Sequence, residues 1–155
     1  MEILCCSLMT PVGTLSLFEE DEKIVVVEWG QAPEGTQTAL LKEAKSQLSA
    51  YFSAKLTKFD LPLDPMGSDH QKKVWDEMQK IPFGQTCTYG DIAKTIKSCA
   101  QAVGGACGKN PIPIIIPCHR VVGSSGKMTG YSGGDGIETK QQLLRMEEAI
   151  LHSLK

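Results

Sequence analysis

Two prolines and a glycine within seven residues, Leu61-Pro62-Leu63-Asp64-Pro65-Met66-Gly67, set the first limit on what this chain can fold into. Proline removes a backbone donor and fixes φ, and glycine weakens any regular element, so the stretch reads as a linker. The 155 residues are therefore expected to form two small domains, 1–64 and 65–155, rather than one.

Upstream, Ile3 to Leu8 and Leu15 to Phe18 read as the strands of a hairpin about Thr10-Pro11-Val12-Gly13, with valine-rich Lys23 to Trp29 as a third strand. Between Gln37 and Phe52 the apolar residues Leu40, Leu41, Ala44, Leu48 and Tyr51 return at helical spacing. Downstream, Ser68 or Asp69 can cap a helix running to about Lys80. Its buried stripe would hold Val74 and Met78, with Trp75 flanking it, and Pro82-Phe83-Gly84 ends it. Thr88-Tyr89-Gly90-Asp91 has the form of a capping box for a helix through Ile96, and Ser98 can cap another across Cys99 to Cys107. Two short helices joined by a tight turn make a helix-turn-helix. Ile112-Pro113-Ile114-Ile115-Ile116 is short, β-branched and uncharged, which predicts a strand covered on both faces. The sequence contains neither internal repeats nor low-complexity tracts.

That apolar run leads into Pro117-Cys118-His119-Arg120-Val121-Val122, where a thiol, an imidazole and a guanidinium are consecutive. A thiolate is the reactive form of cysteine, and a nearby proton acceptor or cation favours it. Cys118 is thus a candidate nucleophile, expected to be ionised, with His119 as its base. The alternative is a small buried cysteine beside a structural histidine.

Composition narrows the setting. No span approaches the ~18 consecutive apolar residues of a membrane helix, and Glu2 stands where a signal peptide would be basic. A cytoplasmic protein that does not enter membranes is expected. Its six cysteines would then be reduced, and the absence of a C-x-x-C pair or a zinc-like His spacing argues for no metal. The net charge of −2 is unevenly spread. Residues 1–70 carry eleven acids and five bases, whereas residues 84–134 carry Lys94, Lys97, Lys109, Arg120 and Lys127 against Asp91 alone. The second half can meet phosphates; the first would repel them.

Read outward from Cys118, the stretch Asn110-Pro111-Ile112-Pro113 through Pro117-Cys118-His119-Arg120-Val121-Val122 to Tyr131-Ser132-Gly133-Gly134 resembles the active-site signature of the O6-alkylguanine-DNA alkyltransferases, the methylated-DNA–protein-cysteine methyltransferases. Val74-Trp75, Ile81-Pro82-Phe83-Gly84, Thr88-Tyr89 and Ala102-Val103-Gly104-Gly105-Ala106 extend the match over roughly residues 68 to 150, and residues 1 to 63 match only in general character. The resemblance implies an α+β protein: a small ribonuclease H-like N-terminal domain of three strands and a helix, then a mostly helical, winged-helix-like domain bearing the helix-turn-helix. It implies direct-reversal repair, in which an alkyl group passes once and irreversibly from O6-alkylguanine, and from O4-alkylthymine, to Cys118. No diffusible cofactor is expected, and the partner would be double-stranded DNA containing alkylated guanine, met by a monomer.

By the same resemblance His119 accepts the thiol proton, through a water, Glu147 orients the imidazole, and Tyr89 protonates the leaving guanine. Glu148 is the neighbouring alternative to Glu147, and both could be solvent-exposed helix charges. Ala102, Gly104 and Gly105 would lie in the minor groove, which is only ~6 Å wide, although small residues also serve tight packing against a neighbouring helix. Asn110 would hold the turn before the active-site segment, Arg120 would meet DNA, backbone groups of Cys118 and Val121 would read the guanine edge, and Tyr131 and Ser132 would form a lid. One position departs from the family. An arginine that fills the space of the rotated nucleotide is replaced by Gln101, which predicts slower flipping or weaker DNA affinity. That change keeps in view a non-catalytic, alkyltransferase-like lesion-binding protein, although those relatives lack the cysteine. A Cys-His hydrolase on another fold is the third reading.

Overall fold

The computed structural model describes residues 3–33, 35–127, 134 and 136–153. The chain separates into two compact units, Met1–Met66 and Gly67–Lys155.

In the first unit, strands β1 (Cys5–Thr10), β2 (Gly13–Glu20) and β3 (Lys23–Trp29) form an antiparallel meander in the order β1-β2-β3. Leu15 and Leu17 of the middle strand β2 are fully buried, and so is Ser16 between them, whose hydroxyl donates to the Gly30 carbonyl. Helix α1 (Ala39–Phe52) starts where the Thr38 hydroxyl accepts the Leu41 N–H, and it buries Leu41, Ala44, Leu48 and Tyr51. Part of the proline-rich stretch is ordered by the sheet. The Ile24 N–H donates to the Pro62 carbonyl and the Asp64 N–H to the Ile24 carbonyl, each at 2.9 Å, so Leu63 pairs as a single bridge on the edge of β3. The flanking prolines stop it there.

In the second unit, α2 (Asp69–Gln79) is opened by a capping box between Ser68 and Gln71, and α3 (Tyr89–Ile96) by one between Thr88 and Asp91. Lys97 closes α3 in the left-handed conformation, and α4 (Ala100–Gly108) follows two residues later, completing the helix-turn-helix. Two short parallel strands, β4 (Cys87–Thr88) and β5 (Val121–Val122), pair Cys87 with Val121 and Thr88 with Val122. That pairing puts the start of α3 beside the segment that follows Cys118. The last helix, α5 (Ile137–Ser153), buries Thr139, Lys140, Leu143 and Glu147 on one stripe.

Three expectations need correction. The isoleucines at 112 and 114–116 are buried, but residues 112–116 form no strand. Pro113 and Pro117 cannot donate to a ladder, Ile114 turns to φ 74°, and the Ile116 N–H closes back onto the Ile112 carbonyl. Trp75 does not flank the stripe of α2 but lies in the core, its indole N–H donating to the Ala106 carbonyl of α4 at 2.9 Å. Ser98 does not cap α4: Cys99 holds the cap position without a side-chain bond, and the Ser98 hydroxyl lies 2.9 Å from His70 Nε2.

Candidate active site

Cys118 begins a single 3₁₀ turn, Cys118–Arg120, at the end of the buried apolar segment. Asn110 holds that segment closed. Its side-chain amide donates to the Ile116 carbonyl at 2.9 Å, while its Oδ1 accepts the Ile112 N–H at 3.0 Å, so one residue spans the loop that delivers Cys118. Ile114 carries the conformational strain of this loop, and its side chain is fully buried. Burial of an isoleucine outweighs the ~1–2 kcal/mol cost of a left-handed residue.

The thiol is not ionised at rest, contrary to expectation. Cys118 is only 6% exposed, and burial raises its pKa, more than Asn110 and the Lys140 charge lower it. A base must therefore take its proton.

His119 is the adjacent candidate, fully buried, with Nε2 2.6 Å from Glu147 Oε2. Burial holds the imidazole below its ordinary pKa despite the pull of Glu147, with Arg120 and Lys140 adding to the lowering. Its Nδ1 is buried and finds no hydrogen-bond partner among the described residues. Glu147 reaches this point from α5 and is enclosed by donors. Arg120 Nε and Nη2 donate to its two oxygens at 2.8 and 3.0 Å, and the Gly84 N–H donates at 3.2 Å. Burial raises the carboxyl's pKa, but His119 and then Arg120 outweigh it and hold Glu147 far below the usual carboxylate range. Glu148, the alternative, is exposed and lies 3.8 Å from His152.

Arg120 is thus lost from the phosphate-facing set. Its guanidinium is buried, paired with Glu147, bonded to the Ile81 carbonyl at 2.9 Å and stacked 5.7 Å from the centre of the Phe83 ring. A buried carboxylate attracts a cation more strongly than solvent-exposed phosphates can.

Lys140 was missed by the sequence reading. It is buried, donates to the Val121 carbonyl at 2.5 Å, lies 3.4 Å from Tyr89 Oη, and is within 5.7 Å of the Tyr89 ring centre. Burial lowers its pKa, while the nearby thiols Cys118 and Cys107 raise it. The available signal was its position seven residues before Glu147 on one helical face. The Val121 carbonyl, expected to read the guanine edge, has one lone pair already engaged by this lysine. Because an ammonium only donates, Tyr89 Oη accepts from Lys140 and its own proton stays directed elsewhere.

On α4, Gln101 and Ala102 are exposed, and a Cβ added at Gly104 or Gly105 would meet nothing within 4 Å. The packing explanation for these glycines therefore fails within the described structure. Lys94, Lys97, Lys109 and Lys127 are exposed, and Asp91 is the acid interspersed with them. Tyr131 and Ser132 lie outside the described residues. Among the described residues no group of three His, Cys, Asp or Glu side chains could hold a metal ion, and no helix is long and apolar enough to cross a membrane.

Comparison with known proteins places this arrangement. Residues 69–149 match the model of the 6-O-methylguanine DNA methyltransferase, DNA binding domain, and residues 3–65 that of the 6-O-methylguanine DNA methyltransferase, ribonuclease-like domain. The methylated-DNA–protein-cysteine methyltransferase of Mycolicibacterium paratuberculosis is 43% identical over 147 residues, covering 89% of this chain and 88% of the relative. The constitutive methylated-DNA–protein-cysteine methyltransferase of Bacillus subtilis is 38% identical, covering 89% of this chain and 91% of the relative. A crystal structure of Mycobacterium tuberculosis OGT in complex with DNA superposes with a TM-score of 0.84 at 41% identity, covering 94% of this chain and 93% of that one.

Proposed function

The chain belongs to the 6-O-methylguanine DNA methyltransferase family, and on that premise we propose that it repairs DNA by moving an alkyl group from guanine O6 to Cys118. The substrate is double-stranded DNA carrying O6-alkylguanine, and O4-alkylthymine is a second lesion of the same chemistry. The protein acts as a cytoplasmic monomer and needs no cofactor. Its C-terminal domain, 65–155, carries the reaction, and residues 1–64 support it.

The observation that carries this reading is the buried imidazole next to Cys118 in the chain, anchored at Nε2 by an ionised Glu147 while Nδ1 is without a partner among the described residues. Such an imidazole is oriented to accept one proton. The sulfur then attacks the alkyl carbon: an S–C bond forms, the C–O6 bond breaks, and its electron pair goes to guanine. Displacement at saturated carbon suits a soft thiolate, which is why Cys118 rather than a serine stands here. Tyr89 supplies a proton to the guanine, and Lys140, donating to Tyr89 Oη, stabilises the phenolate left behind. The proton gained by guanine balances the one lost by the thiol. The product is a thioether with no easy leaving group, so each molecule reacts once.

Reaching O6 requires the nucleotide to leave the stack, and α4 supports this step. Gly104 and Gly105 cost the helix ~1 kcal/mol each with no packing return among the described residues, which fits a surface kept bare for close approach to a groove. Ala102 and Gln101 extend that surface. The alternative of a non-catalytic lesion binder is not favoured, since the close relatives are named as transferases and Cys118 is present.

Intact mass after incubation with duplex DNA carrying O6-methylguanine tests the proposal. One methyl group is expected on the Cys118 peptide, and none on Cys118→Ser. Binding without a mass change, or repeated turnover, would overturn it.

A further inference from the structure

Arg120 is a cation held in the same carboxylate that anchors the imidazole. In a simple thiol–imidazole–carboxylate relay the carboxylate raises the imidazole's basicity, working against the burial that lowers it. An imidazolium cannot accept the thiol proton. We propose that Arg120 is a positioning residue for the transfer reaction, whose bidentate clamp on Glu147 offsets the carboxylate's pull and so adds to burial in keeping His119 neutral, protonated on Nε2 and ready to accept at Nδ1. The inference rests on the function proposed above.

The geometry is specific. Arg120 Nε and Nη2 lie 2.8 and 3.0 Å from the two Glu147 oxygens, and His119 Nε2 shares Oε2 at 2.6 Å. An ionised carboxylate only accepts, so Nε2 must carry the hydrogen, and a neutral ring then has its lone pair on Nδ1. The guanidinium is itself fixed by the Ile81 carbonyl and the Phe83 ring. The Gly84 N–H completes the enclosure at 3.2 Å, and Gly84 admits no substitute: its φ is 79° and a Cβ would come within 2.6 Å of Leu151. The charged and titratable groups acting on the imidazole are Glu147 and Lys140 from α5 and Arg120 from its own turn. Cys118 and, from α4, Cys107 stay protonated through burial, and α2 buries only Val74, Trp75 and Met78. Lys140 lowers the imidazole's basicity in the same sense as Arg120, and it donates to the Val121 carbonyl and lies by Tyr89.

The test is an NMR titration of the His119 ring in wild type, Arg120→Gln and Arg120→Lys, alongside the pH profile of single-turnover methyl transfer. Arg120→Gln keeps a donor and removes the charge. Its His119 should titrate about one to three units higher, the shift produced by one close charge. The acid limb of its rate profile should move up by the same amount, with transfer recovering as the pH is raised. Arg120→Lys keeps the charge but not the two-pronged bond, so its His119 should titrate closer to wild type than that of Arg120→Gln. An unmoved His119 titration in Arg120→Gln, or a rate loss equal at every pH, would overturn the proposal. So would a wild-type His119 already protonated at pH 7, a result that needs no variant to fold. Absence of methyl transfer in wild type would instead end the functional reading, leaving the ring titration to decide the role of Arg120.

Discussion

Gln101, where the family resemblance leads to the expectation of an arginine, stands exposed in the first turn of α4. An amide there can hydrogen-bond to an orphaned base but brings no charge to the phosphates and stacks less well than a guanidinium. Gln101→Arg is expected to raise duplex affinity and transfer rate several-fold, and to steepen the salt dependence by up to about 0.9 in log–log slope for one added phosphate contact. Unchanged affinity and rate across a salt series would remove this residue from the flipping step. Cys118 and His119 were legible because their chemistry is written in consecutive letters. Lys140 was not, because a lysine in an amphipathic helix reads as solvent-facing until its burial is known.

At the scale of elements, α4 sets two physical demands against each other. A methyl group at Gly105 meets no atom of the described residues within 4 Å, so Gly105→Ala should stabilise the helix by roughly 0.5–1 kcal/mol, the propensity difference between the two residues. Gly105→Leu should leave the fold intact while cutting duplex affinity by tenfold or more, since a leucine would hold the helix backbone away from a groove only ~6 Å wide. Denaturant melts and binding isotherms on both variants separate the effects. Wild-type affinity in Gly105→Leu would mean that this face of α4 does not meet DNA. The capping box at Thr88 was readable because its partners are three residues apart, whereas residues 112–116 misled. Their β-branched run matched a strand, but prolines at both ends deprived it of the donors a ladder requires.

At the scale of the whole molecule, stability should depend on pH through the buried network. His119 is held below its ordinary 6.5, so the unfolded chain binds a proton there that the native state refuses. Stability is then lost as pH falls below about 6.5. Glu147 is held far below its ordinary 4.5. Its contribution is present above that value and is lost as pH falls from there towards its folded pKa. The thiols act in the opposite direction. Burial pushes Cys107 up to about 12 and raises Cys118 as well, both from 9.0. The native state keeps protons that the unfolded chain releases, and stability declines above about pH 9. Thermal melts across pH should show a maximum between roughly 6.5 and 9. A protein most stable at pH 5 would contradict the buried, neutral His119.

The sequence by itself determined the α+β class and the capped starts of α2 and α3 and singled out Cys118 as the candidate thiol, because each depends on residues close together in the chain. Only the tertiary structure decided which charges are buried and whom they face. Arg120 and Glu147 are 27 residues apart, Lys140 and Tyr89 are 51 apart, and the protonation of Cys118 follows from what encloses it. Desolvation and Coulomb attraction act through distances in space, and no local pattern of letters encodes them.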